Sequence, residues 1–347
     1  MRNILKNISK KQITLAAIVL VSLLLFFALF ISSHFIKAAQ ADQRAAQRWA
    51  ATGAYAQISC FFADGEKVDF DTIMGFRGQI DKGLREASYM AEEAGGRSYI
   101  DAYSGSGKVQ IVSERARLDS PAFGIGGDFF HFHPLSLVNG TYFSGAELNK
   151  DAIILDEEAA WQLFGSSDVA GMEVTIGGVP HYVRGVVSRE SGRLWDAAGL
   201  GGGMAYLSLE SLTAYGETAG IHYYEAVLPN PVQGFAYRLA AETFGFSADK
   251  MVVIDNTARF NIIPLLTVVS DMGIRSMQLY SLRFPYWENY ARGIEDILAF
   301  MLVLEAVFLL CAALIILVSL YNAYHHRTWT WPGLVKGVVG KSLTFLK

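Results

Sequence analysis

Two long apolar runs bracket this chain and fix its plan. Residues 13–36 (ITLAAIVLVSLLLFFALFISSHFI) contain no Asp, Glu, Lys or Arg, and residues 297–324 (ILAFMLVLEAVFLLCAALIILVSLYNAY) contain one, Glu305. Each exceeds the roughly 20 residues that a helix needs to cross the hydrocarbon core. A cleaved signal peptide explains the first run less well than an anchor does. Its apolar core would be about 7–15 residues long, and no small-x-small cleavage pattern precedes the polar AAQADQRAAQRW that follows.

Charge then sets the orientation. Arg2, Lys6, Lys10 and Lys11 precede the first run, and Arg327, Lys336, Lys341 and Lys347 follow the second, with no acid in either flank. The positive-inside rule therefore predicts both termini in the cytoplasm. Those eight leave 21 of the 29 basic residues against all 33 acids, so the segment between the runs is acidic and extracytoplasmic. That charge argues against nucleic-acid binding. Cys60 lies outside the membrane and Cys311 within a span, so no disulfide framework is expected. Glu305 is a candidate intramembrane packing residue, because a carboxylate facing lipid costs at least about 2.5 kcal/mol. It also lies only about two turns inside the run, within reach of the interface.

The predicted order is a cytoplasmic N-terminus over residues 1–12, a span over 13–37, a stalk helix over 38–56 and an extracytoplasmic core over 57–285. A stalk helix over 286–296, a span over 297–324 and a basic cytoplasmic tail over 325–347 complete it. The first stalk is rich in Ala, Gln and Arg, all good helix formers. In the second, Trp287, Tyr290 and Ile294 fall on one helical face running into the span, as candidate stalk contacts.

Within the core, Tyr55–Phe62 reads as a strand and Phe70–Glu93 as a helix whose buried face is Ile73, Phe76, Ile80 and Leu84. Ser98–Tyr103 and Val109–Arg117 read as two strands around Ser104-Gly105-Ser106-Gly107. Ala152–Leu155 is a short strand, after which Asp156 sits at an N-cap position and Gly165 at the helix's C′ position. Met172–Ile176 and His181–Val187 form a hairpin about Gly177-Gly178. Arg189–Gly203 is a long polar loop, functional or mobile. Strands at Met204–Leu207, Tyr223–Leu228 and Met251–Asp255 alternate with helices after Ser208 and over Pro231–Phe244, and residues 256–283 read as irregular. This is an α+β layer.

Five pieces in order, the DFF pair at Asp128, NGTYF at Asn139–Phe143, AIILDEEAAWQLFG at Ala152–Gly165, GMEVTIGG at Gly171–Gly178 and YVRGVV at Tyr182–Val187, carry a resemblance. The stretch resembles the periplasmic core domain of MacB-type ABC transporter permeases, whose relatives include LolC, LolE and FtsX. The resemblance implies a two-lobed MacB-like domain between two transmembrane helices. Its α+β lobe would come from roughly Tyr55–Arg117 and Pro231–Arg283, and its inserted β-rich lobe from about 128–228. It also implies that the two stalks carry movement between membrane and domain. Members of the family have four spans, so this chain reads as one truncated after the second.

Catalytic chemistry is not legible. Gly340-Lys341-Ser342 lacks the first P-loop glycine, which is Val335, and neither Gly124-x-Gly126 nor Gly199-x-Gly201 completes a dinucleotide fingerprint. His131 and His133, two apart on an expected strand, are read as half-exposed histidines rather than metal ligands, since a zinc site wants three or four. No cofactor is implied and no enzyme is expected. The tail's Arg327, Trp329, Trp331 and Lys336 suit an amphipathic contact with lipid or a cytoplasmic partner. The function expected is that of a permease-like subunit of an ABC export or mechanotransmission system. It would work with a separate cytoplasmic ABC ATPase and pair with a second copy or a fuller permease. The alternative is an accessory or sensory membrane-anchored ectodomain that binds an envelope ligand or protein without transport.

Overall fold

The first apolar run forms helix α1 (Lys10–Ala38) in a computed structural model that describes residues 10–50, 54–89, 96–145, 147–247, 249–271 and 284–325. The second lies within α10 (Tyr286–His325), the last element after a long core. Both helices are long and apolar enough to cross a membrane. The described chain divides into two compact units: residues up to Ile36 together with Leu298 onward, and Lys37–Ile297. In the first unit Ser22, Ser33, Glu305 and Ala312 are buried, while most of the large apolar side chains around them are exposed. Small and polar residues are the ones that helix interfaces in lipid select.

The second unit begins with a departure from its sequence pattern. The described residues of the expected stalk over 38–56, 38–50 and 54–56, do not continue α1 as one helix. Gln40 adopts φ −80° and ψ 82°, and a 3-10 turn (Ala41–Arg44) and α2 (Ala45–Trp49) follow before strand β1 (Tyr55–Phe62). Helix propensity loses here to tertiary packing. Ala45 and Ala46 are buried, and the Gln57 side chain accepts from the Ala45 N–H and donates to the Asp42 carbonyl.

β1 shows the strand period. Ile58, Cys60 and Phe62 join one apolar cluster, with Ile73, Phe76, Ile80 and Leu84 of α3 (Phe70–Glu86), while Phe61 faces the other side. α3 starts where Asp69 accepts from the Thr72 N–H and ends seven residues short of the expected Glu93. β2 (Ile100–Val112) and β3 (Arg117–Gly127) then form one long antiparallel pair. Ser104–Gly107 is strand, not a turn: a Cβ on Gly105 would sit 2.0 Å from the Gly220 carbonyl oxygen. The glycines admit a close backbone neighbour, which sequence alone presents as a break.

The chain continues through a one-turn helix α4 (Phe129–Phe132), β4 (Leu137–Gly140), β5 (Ala152–Asp156) and α5 (Glu157–Phe164). Asp156 caps α5 by accepting from the Ala159 N–H at 2.7 Å, and its second oxygen accepts from the Met204 N–H at 2.9 Å. Gly165 closes the helix at φ +73°. Asp156→Ala is therefore expected to lower stability by about 1–2 kcal/mol through the cap, with more from the orphaned Met204 N–H. A urea midpoint unchanged from wild type would refute that role.

β6 (Glu173–Ile176) and β7 (Val179–Val187) make the expected hairpin, followed by α6 (Arg193–Ala198) inside the polar loop. β8 (Ala205–Ser208), α7 (Leu209–Tyr215), β9 (Glu217–Thr218), β10 (Tyr223–Pro229), α8 (Phe235–Thr243), β11 (Met251–Asp255) and α9 (Ile262–Ser270) complete the core. α9 and Arg259 fall in the stretch read as irregular. One eleven-stranded sheet runs β11-β1-β10-β2-β3-β8-β5-β7-β4, with β6 beside β2 and β7, and β9 beside β2. The fold is α+β, and its two lobes are the two ends of this sheet. α3 and α8 pack on β1 and β10 at one end, and α5 and α7 on β5, β7 and β8 at the other, with β2 and β3 shared. β10 lies between β1 and β2, so the segment over 128–228 ends inside the first lobe's sheet.

Candidate functional site

On the face of β1 opposite α3, buried polar groups replace apolar ones. Ser59 stands directly across from Glu225 of β10, and its hydroxyl donates to Glu225 Oε1 at 3.0 Å. The other carboxylate oxygen, Oε2, meets His133 Nε2 at 2.5 Å. His133 Nδ1 lies 3.4 Å from Asp42 Oδ2 on the 3-10 turn, close enough for an ion pair but without an aligned hydrogen bond. His131 and His133 therefore are not two half-exposed residues on a strand. They occupy α4 and its end; His133 is 1 % exposed, and His131 Nε2 meets the Ala45 carbonyl at 3.1 Å. Apolar Phe129 and Phe132 pulling inward made a helical turn where period-two spacing suggested a strand.

The string continues in the other direction. Asn256 donates from Nδ2 to Ser59 Oγ at 2.7 Å and accepts at Oδ1 from Arg259 Nη1 at 3.2 Å. Arg259 then grips α10 twice. Nη1 and Nη2 donate to the two oxygens of Glu288 at 2.6 Å each, and Nε donates to Glu295 Oε1 at 2.6 Å. Glu288 and Glu295 lie seven residues, two helical turns, apart and so share a face. A connected line of polar side chains thus runs from Asp42, four residues past the end of α1, to Glu295, two residues before the second apolar run.

Electrostatics follow from burial and pairing. Burial alone would lower the His133 pKa, but the Glu225 charge, the hydrogen bond to Glu225 and the nearby Asp42 carboxylate outweigh it and raise it to about 9. Burial also works against the Arg259 charge, and Glu288 and Glu295 more than reverse it. The Glu288 carboxyl is raised by burial despite Arg259. Bidentate pairing of a planar guanidinium with carboxylate is the geometry in which a buried charge is best compensated.

The candidate stalk contacts lie on another face of the same α10 turns. Trp287 is buried among Phe123, Phe129, Tyr223 and the His133 ring, whose centroid is 4.3 Å away. Tyr290 stacks on Trp195 of α6 at 3.6 Å, and Ile294 is buried. Tyr286 meets Tyr206 hydroxyl to hydroxyl at 2.8 Å. The polar loop over 189–203 is thus fixed to α10, further secured by Asn289 Nδ2 donating to the Ala198 carbonyl at 3.0 Å. Glu305 is 8 % exposed in the other unit. Arg327, Trp329, Trp331 and Lys336 lie outside the described residues. Among the described residues no group of three or more His, Cys, Asp or Glu side chains is placed to hold a metal ion.

Sequence reasoning missed Arg259, Glu225, Ser59 and Asn256. One signal was available: Glu288 and Glu295, two turns apart on a helix otherwise becoming apolar, ask for a buried cation.

Comparison with known proteins supplies the rest. Residues 13–260 match the family described as MacB-like periplasmic core domain. A curated relative, the macrolide export ATP-binding/permease protein MacB of Chromobacterium violaceum, is 24 % identical over 154 residues, which is 43 % of this chain and 23 % of the relative. The chain therefore aligns with less than a quarter of that relative's length. Among solved structures, the periplasmic region of MacB from Actinobacillus actinomycetemcomitans is 14 % identical, with a TM-score of 0.42, covering 62 % of this chain and 93 % of that one. The extracellular domain of the noncanonic ABC-type transporter YknZ from Gram-positive bacteria is 18 % identical, with a TM-score of 0.38, covering 57 % of this chain and 99 % of that one. With well over half of its 347 residues inside the family match and an apolar helix on each side of the core, the chain belongs to the MacB-like periplasmic core domain family, a membrane protein with an extracytoplasmic domain.

Proposed function

We propose that the protein is a permease-like membrane subunit of an ABC export or mechanotransmission system, whose outer domain is moved by a separate cytoplasmic ATPase. The observation that carries this reading is the buried line from Asp42 to Glu295. It ties the two chain segments adjoining the apolar helices to one another through the sheet, with ionic contacts at both ends. A lever needs such a tie, because packed networks with fixed geometry transmit displacement where loose linkers absorb it. In this reading both termini are cytoplasmic and the basic tail meets the ATPase. In the membrane the chain pairs with a second copy or with a permease of more spans, and buried Glu305 belongs to that helix packing.

The test is purification of the full chain in mild detergent with its partners. Glu305→Leu together with removal of residues 326–347 is expected to reduce the ATPase recovered and the stimulation of its turnover several-fold. Recovery and turnover unchanged by both alterations would overturn the assignment, and a chain that emerges alone would favour an accessory or sensory ectodomain.

A further inference from the structure

A cavity of about 310 Å³ opens beside the ionic line, bounded by residues 39–43, the loop carrying α6, and the first turns of α10. It falls at the small end of the range of about 300–1,000 Å³ typical of small-molecule sites. Its wall is aromatic. Trp195 and Tyr290 lie parallel, centroids 3.6 Å apart at 6°, and Tyr286 stands 6.1 Å from Trp195 at 57°. Gly293 permits this arrangement: a Cβ there would come within 2.6 Å of Leu194 Cδ1, so α6 approaches α10 closely.

The charges around the cavity are unequal in their commitments. Asp156 uses both oxygens on backbone N–H groups, and Asp42 faces His133. Among the described lining residues the cation is Arg189, which is turned to Glu158 at 2.9 Å and to the Leu200 carbonyl at 3.3 Å. Glu190 is exposed and makes no hydrogen bond or ion pair among the described residues. Glu190 lines the cavity together with Trp195, Tyr286 and Tyr290.

We propose that this cavity is a binding site for a small organic cation, taken up by the Trp195, Tyr286 and Tyr290 rings and by the Glu190 carboxylate. Aromatic faces are electron-rich and attract ammonium groups, and a carboxylate without a partner selects the same sign. An anion would meet uncompensated negative charge. A neutral ligand would forgo both attractions and leave Glu190 to be desolvated without compensation. The bound cation would touch residues 40–43, α6 and α10 together, fastening the loop to the helix. This goes beyond the transport reading and does not depend on it.

The full chain in a maltoside detergent is titrated with choline and, separately, with 3,3-dimethyl-1-butanol, its uncharged carbon analogue, at constant ionic strength. Tryptophan fluorescence and calorimetry supply the readouts. Choline is expected to bind saturably and at least about tenfold more tightly than the analogue. Glu190→Gln, at an exposed position where folding is not at stake, should weaken choline by about tenfold and leave the analogue unaffected. Trp195→Ala, with an unchanged urea midpoint, should abolish saturation, whereas Trp161→Ala, an exposed tryptophan outside the cavity, should change nothing. No saturable choline binding, equal affinity for the analogue, or full affinity in Glu190→Gln would each overturn the proposal.

Discussion

Replacing Arg259 with methionine is expected to destabilise the outer domain by about 3–5 kcal/mol, the cost of leaving buried charge without its partner. Arg259 is 4 % exposed, and it holds two buried carboxylates of α10, Glu288 and Glu295. Methionine fills similar space, so packing loss is a minor part of the effect. The measurement is the urea midpoint of the full chain in detergent at neutral pH. A second variant separates ionic from steric causes. Arg259→Met with Glu288→Leu and Glu295→Leu removes all three charges and should recover most of the lost stability, since apolar replacements of whole buried ion clusters are often neutral or better. A single-variant loss below about 1 kcal/mol would mean that the cluster behaves as a surface ion pair. The triple variant also bears on function. If the proposed function holds and the Asp42 to Glu295 line conveys movement, a domain that is stable but cut at Arg259 should stimulate the proposed partner ATPase less than wild type does.

How much of this was legible in the sequence depends on how far each signal lies from its cause. The α3 face, the Asp156 and Gly165 ends of α5 and the β6–β7 hairpin are local: spacing, a cap and a glycine turn each act within a few residues. The continuous helix expected from residue 38 stops before the turn at Ala41–Arg44 because Ala-rich propensity is a weak force. Gln57, twelve residues from Ala45 and fifteen from Asp42, holds a turn there instead. Gly105 and Gly107 read as a break because the backbone that crowds them, at Gly220 and Glu217, arrives more than a hundred residues later. The Arg259 cluster was hidden for the same reason. Its carboxylates lie 29 and 36 residues onward, so no window of helical or strand length contains both halves. The five pieces between Asp128 and Val187 marked the family correctly, yet none of them contains a member of the ionic line, and the stretch they span contains His133 alone.

Stability contributed by His133 should fall as pH rises from about 6.5 through 9. The imidazole's folded pKa, about 9, lies above the ordinary value of 6.5, so the folded state binds a proton more tightly than the unfolded chain does. Its contribution is then fully present below about 6.5 and lost as pH climbs through about 9. A gap of 2.5 pH units corresponds to on the order of 3 kcal/mol. The comparison to make is wild type against His133→Gln, with urea midpoints taken from pH 6 to pH 10. Groups elsewhere that titrate in both proteins cancel in the difference, and the advantage of wild type should shrink across that window. A difference that stays constant would show that His133 binds its proton no more tightly in the folded protein than in the unfolded chain, and an advantage that grows with pH would show that the folded ring is neutral. The outcome also decides what kind of tie joins Asp42 to the sheet. A protonated His133 sits between two carboxylates, Asp42 at 3.4 Å and Glu225 at 2.5 Å, and bridges them by charge. Once it is neutral, only the Glu225 contact can persist as a hydrogen bond, because the contact to Asp42 is not aligned for one. The segment next to the first apolar helix should therefore loosen before the Arg259 grip on α10 does. Faster hydrogen exchange at residues 41–46 at pH 9.5, beyond the intrinsic rise with pH and relative to residues 288–295, is the measurement that would show it.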